Sequence, residues 1–467
     1  MVFLYLFAMM AASLSVKAQD ITITLEPGCT WFSYPKADTM SISSALGDFV
    51  PMNGDVIKSQ DGSTNYINGN WRGFQQFIPG RGYMYYSNRT ENAEIVFTQA
   101  SYFSVTTNEP TDVTATSAVV GGVVNVPEGS HVFLCGVCWG IEPNPDIDGT
   151  HTTETGGMCN FSVSLDNLTT GTVYYVRAYA VTDYGLKYGE EHAFVPIDNS
   201  NVPEGAINGK FTINSNGNQV FFSRGNLQYI GSASTPYWKF AENQWECLGT
   251  TSGQNSDSHT VDRDLFGWGT SGWNCGSSCY QPWETYNKFG SSYGPAGANN
   301  LTGTNANADW GVYNSISNGG GQPGQWRTLS KDELVYVFDN RTTNSGVRFA
   351  KAKVNNVNGI ILLPDDWNNS YYVLNDANLK DANYSSNTLT ASEWNIMEQV
   401  GAVFLPANGF RFGTGVSSVG VNGYYWSSSY VNATYAYGLY FTDSKMISND
   451  GSNRSYGRSV RLVQVVE

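Results

Sequence analysis

Alternating apolar and polar residues are the dominant pattern along the chain, and they predict β-strands. Residues 21–25 are ITITL, in which every second side chain is apolar, as in a strand with one face in water. Residues 132–140 are VFLCGVCWG, an apolar run typical of a strand buried on both faces. Residues 172–181 are rich in the β-branched and aromatic residues that favour strands. The chain is therefore predicted to be mainly β.

The strand at 172–181 is predicted to have one buried and one wetter face, because successive strand side chains alternate between faces. The buried face carries Tyr174, Val176, Ala178 and Ala180. The wetter face carries Tyr175, Arg177 and Tyr179.

Two helices are predicted, both in the last part of the chain. Ser330 precedes the segment 331–338, and Glu333 stands three residues after Ser330. This spacing is a capping box, in which each side chain satisfies a backbone N–H at the start of the helix. Thr390 and Glu393 repeat the same device.

Turn signals and polar links predict a multidomain protein. Residues 19–103 contain repeated Pro-Gly, Asn-Gly and Asp-Gly turn signals and are predicted to form a β-rich N-terminal module. Residues 104–196 contain several short strands, which predicts a β-sandwich. A polar linker at 198–201 precedes the last domain, residues 205–467, in which helices and strands are mixed.

The N-terminal module is rich in aromatic residues. They are Trp31, Phe32, Tyr34, Tyr83, Tyr85 and Tyr86. We expect most of them to pack in a hydrophobic core. An aromatic platform for a sugar is the alternative interpretation.

Composition and charge narrow the range of partners. Charged residues make up 14% of the chain, below the roughly 25% of an average soluble protein. The formal net charge is −15 and the sequence pI is about 4.7. Because an acidic surface repels phosphate groups, nucleic acid and anionic membranes are disfavoured as partners.

The first residues are typical of an export signal. An apolar run ends in Val16-Lys17-Ala18, and small residues at the last and third-last positions suit cleavage after Ala18. Residues 1–18 are therefore predicted to be a signal peptide. No later stretch is apolar enough to span a membrane. The protein is expected to be secreted or held at the outer cell surface.

The seven cysteines do not indicate a metal site. Cys135 and Cys138 form the single C-x-x-C pair, and no His lies beside them at zinc-ligand spacing. We expect the cysteines to be small buried residues, although a disulfide between Cys275 and Cys279 is left open. Glu142-Pro143-Asn144 matches the calcium-binding tripeptide of C-type lectins, but a turn is expected there. No metal and no cofactor is predicted.

The middle of the chain resembles a known repeat. The residues GVCWG (136–140) and LDNLTTGTVYYVRAY (165–179) are similar to the fibronectin type III-like repeats of exported Bacteroidetes proteins. The resemblance implies a fibronectin type III-like β-sandwich that acts as a spacer.

The last domain resembles a second family through three segments in order. The first is WRTLSKDEL (326–334), and the second is FLPANGFR (404–411). The third comprises GYYWSSS (423–429), AYGLYF (436–441) and GRSVRLV (457–463). These segments are similar to the Fibrobacter succinogenes major paralogous domain and to formylglycine-generating-enzyme-like domains, although Thr328 and Leu329 depart from the family's Leu-Pro. The resemblance implies a C-type-lectin-like α+β fold with long loops on one face.

No enzymatic activity is predicted. The formylglycine-generating relatives use a reactive cysteine pair near the C-terminus, and this chain has no cysteine after Cys279. The four histidines are dispersed. Residues 290–294 match G-x-S-x-G but lack the flanking strand and helix of a nucleophile elbow.

Strand periodicity in the last domain separates a scaffold from a candidate ligand-binding set. The side chains predicted to point inward are Trp426, Tyr437, Leu439, Phe441, Val460 and Leu462, and those predicted to point outward include Gly438, Tyr440 and Thr442. Arg461 is predicted to be structural, with an anionic or carbonyl partner if it is buried. The predicted ligand-binding residues are Tyr430, Asn432, Tyr435, Tyr440, Asn449, Asp450, Asn453 and Tyr456.

The sequence therefore predicts a secreted or cell-surface binding or adhesion protein with an unknown protein or glycan ligand. Tyr, Ser and Asn suit such a face because Tyr supplies rigid contact area while Ser and Asn supply adaptable hydrogen bonds. Residues 428–456, which carry the predicted ligand-binding residues, also resemble the variable ends of C-type-lectin-like proteins diversified by retroelements. The alternative is a structural envelope subunit whose loops contact only neighbouring subunits.

Overall fold

The chain divides into two compact units. The computed structural model describes residues 21–35, 39–97, 103–126, 130–155, 160–248, 261–273, 299–413 and 415–466. Unit 1 comprises Met1–Glu109, Val119–Ser164 and Val176–Glu191. Unit 2 comprises Pro110–Ala118, Leu165–Tyr175 and His192–Glu467.

The elements that lie wholly or mainly in unit 1 are strands and one short helix, within the described ranges. They are β1 (Ile21–Leu25), β2 (Gly28–Ser33), β3 (Met40–Ser41), α1 (Ile42–Leu46), β4 (Val56–Ser59), β5 (Gly62–Ile67), β6 (Asn70–Gly73), β7 (Gln76–Phe77), β8 (Gly82–Ser87), β9 (Ala93–Phe97), β10 (Ser104–Thr107), β11 (Ala118–Asn125), β12 (Val132–Gly140), β13 (Glu154–Thr155), β14 (Asn160–Leu165), β15 (Tyr174–Thr182) and β16 (Gly185–Tyr188).

The first part of unit 1 is built on a five-stranded sheet in the order β2-β8-β4-β5-β6. Strands β5 and β6 are joined at Asn68-Gly69, whose φ angles of 50° and 82° are those of a type I′ hairpin turn. The Asn-Gly turn predicted there is confirmed. The core of this part is largely aromatic and includes Phe32, Tyr34, Trp71, Phe77, Tyr83, Tyr85 and Phe97.

Two of the aromatic residues lie on the outer face of the sheet, and so does Cys29, which was expected to be buried. Trp31 is 74% exposed, Tyr86 is 42% exposed and Cys29 is exposed. Because side chains alternate between faces along β2 and β8, these three residues lie on the other face of the sheet from the buried Phe32 and Tyr85. Core packing is thus confirmed for four of the six aromatic residues, as expected for most of them, while no described segment covers the outer face at Trp31 and Tyr86.

Two sheets follow in unit 1, in the orders β10-β11-β14 and β13-β12-β15-β16. The backbone N–H of Ala178 in β15 donates to Thr107 Oγ1 in β10 at 3.0 Å, which links one sheet to the other. This two-sheet arrangement is the β-sandwich predicted from the strand pattern. The strand predicted at 132–140 is β12, with the same bounds.

One side chain of β15 departs from the prediction. Tyr179 was assigned to the wetter face, but it is 2% exposed. Its hydroxyl donates to Thr152 O at 2.7 Å, and its ring meets His151 edge-on at 6.1 Å. The segment around β13 therefore covers the face that strand periodicity alone leaves in water.

The C-x-x-C pair is buried in β12. Cys135 and Cys138 are 1% and 0% exposed. Burial raises the pKa of Cys138 to about 12, so its thiol stays protonated and is a poor metal ligand. Among the described residues no three His, Cys, Asp or Glu side chains are placed to hold a metal ion. Cys275 and Cys279 lie outside the described residues.

The expected turn at Glu142-Pro143-Asn144 is confirmed. These residues follow the end of β12 in a segment of bends and turns. Asn144 has a φ of 61°, and its N–H donates to the Glu191 carboxylate. The tripeptide is part of the connection after β12.

Unit 2 contains the remaining elements of the described chain. Its strands are β17 (His192–Phe194), β18 (Ala206–Thr212), β19 (Gln219–Ser223), β20 (Leu227–Ile230), β21 (Tyr237–Phe240), β22 (Arg327–Thr328), β23 (Phe349–Val354), β24 (Val357–Leu362), β25 (Thr388–Leu389), β26 (Val403–Pro406), β27 (Phe410–Phe412), β28 (Gly415–Ser417), β29 (Gly423–Tyr430), β30 (Tyr435–Phe441), β31 (Met446–Asn453) and β32 (Leu462–Val465). Its α-helices are α2 (Trp310–Tyr313), α3 (Lys331–Val335) and α4 (Ala391–Gln399), and its 3₁₀ helices are Gly303–Ala308 and Tyr384–Ser386.

Small sheets make up unit 2. They have the orders β18-β19-β32-β22, β25-β23-β24-β26, β29-β30-β31, β20-β21 and β27-β28. The helix α3 packs against the three-stranded sheet through Leu334, which shares a core with Leu439 and Phe441. The protein is thus mainly β and multidomain, as predicted.

Both predicted capping boxes are present. Ser330 Oγ accepts from the N–H of Glu333, whose carboxylate accepts from the N–H of Ser330. Thr390 and Glu393 make the same reciprocal pair at α4. The first helix is shorter than its pattern predicts, since α3 ends at Val335 and continues as a π-helical turn over Tyr336–Asn340.

The short helices α1 and α2 were not predicted. Each has five residues or fewer, too few for a hydrophobic period to be visible in the sequence. In the part of the chain that the structure describes, no helix is long and apolar enough to cross a membrane. The predicted signal peptide, residues 1–18, lies outside that part.

Candidate ligand-binding face

The three-stranded sheet β29-β30-β31 positions most of the candidate residues. Tyr424 of β29 and Tyr440 of β30 are register partners. Their rings are stacked, with centroids 4.9 Å apart and planes inclined by 24°. Asn422 Nδ2 donates to the Tyr424 hydroxyl at 3.1 Å, which fixes the ring from the preceding loop.

The β27-β28 hairpin extends this stack. Arg411 and Gly457 exchange two backbone hydrogen bonds of 2.8 Å, which set β27 beside the segment that carries Tyr456. The Phe410 ring lies 5.4 Å from that of Tyr424 and 5.5 Å from that of Tyr456. Phe412 lies 5.3 Å from Tyr456. These five rings, Phe410, Phe412, Tyr424, Tyr440 and Tyr456, form a continuous row that we call the aromatic patch.

Most of the aromatic patch is half-buried. Phe412 is 39% exposed, and the other four rings have intermediate exposure. Lys445 lies next to one end of the row, with its Nζ 5.9 Å from the centroid of Tyr440. The patch is therefore a partly accessible aromatic surface with a cation at one end.

A buried guanidinium supports the aromatic patch. The Cζ of Arg458 is 4.8 Å from the ring centroid of Tyr424 and 4.7 Å from that of Trp426. Its Nη2 donates to Asp450 Oδ2 at 3.0 Å. Burial lowers the pKa of Arg458, and the carboxylate of Asp450 opposes this shift. Arg458 thereby fixes the rings to β31 through one ion pair and two cation–π contacts.

The predicted inward set forms the scaffold. Trp426, Leu439, Phe441, Val460 and Leu462 are each 2% exposed or less. Tyr437 is half-buried, with Lys331 Nζ 5.5 Å from its ring centroid. Trp426 also donates its Nε1–H to Phe266 O at 2.7 Å, so it is the core residue that the sequence predicted.

The opposite face of β30 is less open than predicted. Gly438 was expected to point outward, but it is buried. A Cβ on Gly438 would lie 2.2 Å from Tyr425 O and 3.2 Å from Arg458 Nη1. The Arg458 side chain thus covers a position that periodicity assigns to solvent.

Arg461 is structural, as predicted. It is 5% exposed, and its Nη1 lies 3.5 Å from Phe404 O and from Asn226 Oδ1. Its Nη2 donates to Gln244 Oε1. Burial lowers the pKa of Arg461 to about 10. These carbonyl acceptors are the partners that a buried arginine requires.

The structure divides the predicted ligand-binding residues into groups. Tyr440 and Tyr456 belong to the aromatic patch, and Asp450 is tied to Arg458 beneath it. Asn449 is exposed on β31. At the other end of the β29-β30 hairpin lie Tyr430, Asn432, Tyr435 and Asn453. Tyr430 follows Tyr424 by six positions along β29, a distance of about 20 Å.

The amides at that far end are engaged in local turns. Asn432 Oδ1 accepts from the N–H groups of Thr434 and Tyr435 at 2.8 and 2.9 Å. Asn453 Oδ1 accepts from the N–H and the hydroxyl of Ser455 at 3.0 and 2.9 Å. Tyr435 is 42% exposed. This end offers one accessible ring on a rigid turn.

Sequence reasoning missed Phe410, Phe412, Tyr424 and Arg458 as members of this face. Phe410, Tyr424 and Arg458 stand in the segments that carry the family resemblance, and Phe412 directly follows the second of these segments. A usable signal is the period of two in β29, which places Tyr424 and Trp426 on one face. The pairing of Tyr424 with Tyr440 needs the hairpin register, which the sequence does not show.

The chain matches no protein-family model and no curated protein. Among solved structures, it is similar to the sensor domain of the anti-sigma factor RsgI4 of Pseudobacteroides cellulosolvens. The identity is 17% and the TM-score 0.18, over 21% of this chain and 99% of that one. It is also similar to the sixth fibronectin type III domain of the human fibronectin type III domain containing protein 3. Here the identity is 26% and the TM-score 0.16, over 20% of this chain and 82% of that one.

Similarities with TM-scores this low carry no argument about function. The fibronectin type III-like β fold is represented among the structural neighbours. The C-type-lectin-like fold of residues 205–467 stays a prediction.

Proposed function

We propose that the protein is an exported binding protein, held at or released from the cell surface, whose last domain presents the aromatic patch to a ligand. The observation that carries this proposal is the row of five rings fixed from beneath by Arg458. Partly exposed tyrosines on a rigid support supply contact area at a small entropic cost. Such aromatic residues are enriched among the residues that dominate binding energy.

A binding role is favoured over a catalytic one by the state of the charged groups at the patch. Arg458 and Asp450 are paired with each other, and the Arg458 side chain is 3% exposed. A general acid or base must reach its substrate within hydrogen-bond distance. These two groups instead hold the aromatic rings in place.

The test is a binding assay with the chain expressed from Gln19. The probes are an array of neutral and acidic oligosaccharides together with immobilised mucin, collagen, fibronectin and laminin. Wild type is compared with Tyr456→Ala and with Tyr313→Ala, a matched control on α2 that is 40% exposed and lies outside the patch. We expect at least one probe to be retained, and Tyr456→Ala to weaken that binding about tenfold or more.

Two results would contradict the proposal. If Tyr456→Ala binds the retained probe as wild type and Tyr313→Ala do, the aromatic patch is not the binding surface. If no probe is retained, the result contradicts the binding role and favours the alternative, a structural envelope subunit.

A further inference from the structure

A small pocket opens in unit 2 next to the aromatic patch. Its volume is about 250 Å³, below the range of about 300–1,000 Å³ that is typical of pockets for drug-sized ligands. It is lined by Lys353, Asn358, Asn383, Tyr384, Ser385, Gly420, Val421 and Asp443. A cavity of this size has room for a small molecule or for one residue of a longer, chain-like ligand.

The wall formed by Gly420 and Val421 is fixed by side chains from two other elements. Asn358 of β24 donates its Nδ2–H to Gly420 O at 2.8 Å. Tyr384, which is 3% exposed, donates its hydroxyl to Val421 O at 2.9 Å. The pocket is therefore preformed, which lowers the ordering cost of binding.

Two opposite charges line the pocket without neutralising each other. Neither Lys353 nor Asp443 forms an ion pair with any residue in the described ranges. Asp443 accepts one hydrogen bond, from the hydroxyl of its neighbour Ser444 at 3.1 Å. An ammonium donor and a carboxylate acceptor are thus both available to a third group.

An acceptor without a donor lies at the same wall. Because Asn358 Nδ2 is committed to Gly420 O, the amide orientation is fixed and Oδ1 is the remaining acceptor. This Oδ1 is buried and accepts no hydrogen bond from the described protein. It has almost no accessible surface, so the polar groups that a ligand reaches directly are those of Lys353 and Asp443.

Two short stretches of chain connect the pocket to the aromatic patch. Val421 lines the pocket, and the next residue, Asn422, donates to the Tyr424 hydroxyl at the patch. Asp443 follows Tyr440 by three residues in the turn between β30 and β31. A ligand seated in the pocket would therefore extend onto Tyr440 and Tyr424.

We propose that this pocket is a subsite for one sugar ring of an oligosaccharide, whose following rings lie on the aromatic patch. The inference rests on the proposed binding function. Sugar hydroxyls both donate and accept, which suits a lining of ammonium, carboxylate, amide and hydroxyl groups. The C–H faces of the following sugar rings suit an aromatic surface.

A free amino acid is the competing ligand class, because a zwitterion would also fit one ammonium and one carboxylate. The sugar is favoured by the neutral lining groups of Asn383 and Ser385, which a zwitterion does not need. Ser385 donates its hydroxyl to Asn383 Oδ1 at 2.9 Å, which leaves the Asn383 amide N–H groups and the Ser385 oxygen for a ligand. It is also favoured by the adjoining row of rings, which only a chain of several units can use.

The test is calorimetric titration of the chain from Gln19 with hexamers of glucose, mannose, xylose and N-acetylglucosamine, and with glycine. The pocket variants are Asp443→Asn and Lys353→Gln, and the patch variant is Tyr456→Ala. The matched control is Asp366→Asn, an exposed carboxylate of unit 2 outside the pocket. We expect one hexamer to bind, with about tenfold or greater loss in each pocket variant, as for a hydrogen bond to a charged group. Asp366→Asn should bind like wild type.

The outcomes separate this inference from the proposed function. If a hexamer binds and Tyr456→Ala weakens it while both pocket variants do not, the subsite is wrong and the binding function stands. If no hexamer binds but a protein probe does, or if glycine binds instead, the carbohydrate assignment is wrong. If nothing binds in either assay, both proposals fail. Unchanged unfolding temperatures show that the variants are folded.

Discussion

Gly438 sits where the backbone of β29 and the Arg458 side chain closely approach β30. A Cβ at this position would lie 2.2 Å from Tyr425 O, a backbone atom that can move only with its strand. We therefore expect Gly438→Ala to destabilise the protein by about 1–3 kcal/mol, the usual cost of overpacking. Chemical denaturation of the protein measures this loss of stability.

Gly451 is the matched control, since it lies in the neighbouring strand β31. A Cβ there would meet only Val431 Cγ2, at 3.7 Å. Gly451→Ala should leave the free energy of unfolding within about 0.5 kcal/mol of wild type. Equal destabilisation by both alanines would show that the approach at Gly438 is not as close as described.

Leu439 and Tyr440 are adjacent in β30 but have opposite roles. Leu439 is fully buried, so Leu439→Ala should cost about 2–5 kcal/mol through the cavity it leaves. Replacing Tyr440 by alanine removes one stacked contact with Tyr424, so Tyr440→Ala should lower the free energy of unfolding by at most about 1.5 kcal/mol. Urea unfolding of the two variants checks this order. Similar losses in both would mean that Tyr440 is part of the core.

At the residue scale, the sequence predicts well which large or charged side chains are buried. It predicts poorly which strand faces are covered by segments distant in the sequence. Trp426 and Arg461 follow from size and from the solvation cost of a charge. The errors at Tyr179 and Gly438 have one cause, because a segment distant in sequence covers a face that alternation leaves open. Trp31 is the reverse case, an apolar face that no described segment covers.

At the scale of elements, the two capping boxes make matched predictions. Ser330→Ala and Thr390→Ala each leave helical N–H groups without an acceptor and should cost about 0.5–2 kcal/mol. Thermal unfolding measures the loss, with Ser234→Ala, at an exposed position of unit 2, as the control. If either capping variant matched the control, that helix would be held by its packing alone.

Helix starts and hairpin strands were predictable because their signals are local. Ser-x-x-Glu and Thr-x-x-Glu lie within one turn of helix, and a strand shows its period within a few residues. The aromatic patch was not predictable, because it needs the register of β29 with β30 and the bridge from Arg411 to Gly457. The pocket is built from four separate segments and has no local signal.

At the scale of the whole molecule, unit 2 holds a buried carboxylate whose charge opposes folding. Burial raises the pKa of Asp264 to about 6, against about 3.9 for an unperturbed aspartate. The folded state thus binds this proton more tightly than the unfolded state does. The resulting stabilisation is present below about pH 4 and is lost as the pH rises through about 6.

Asp264→Asn removes this titration. The unfolding temperature of the variant minus that of wild type should therefore increase between pH 4 and pH 7, by the equivalent of up to about 3 kcal/mol. Scanning calorimetry at both pH values measures the difference, with Asp366→Asn as the matched loss of one surface carboxylate. A difference that is independent of pH would show that Asp264 does not titrate in this range.

The mainly β, multidomain character was predictable because it follows from strand periods and turn dipeptides spread along the chain. The short helices α1 and α2 were not, since tertiary packing decides such elements rather than periodicity. The boundaries predicted at 103, 196 and 205 stay predictions. So do export and the C-type-lectin-like fold.

The distribution of indole rings gives the protein a spectroscopic asymmetry. Trp31 in unit 1 is 74% exposed, whereas six tryptophans of unit 2 are 2% exposed or less. These six are Trp268, Trp310, Trp326, Trp367, Trp394 and Trp426. Acrylamide should quench the fluorescence of Trp31, and of Trp273, which is 37% exposed, in the native protein. The six shielded indoles should emit at shorter wavelength until unit 2 unfolds. Because most of the buried indoles belong to unit 2, intrinsic fluorescence follows mainly the unfolding of unit 2 in the intact chain, without any label.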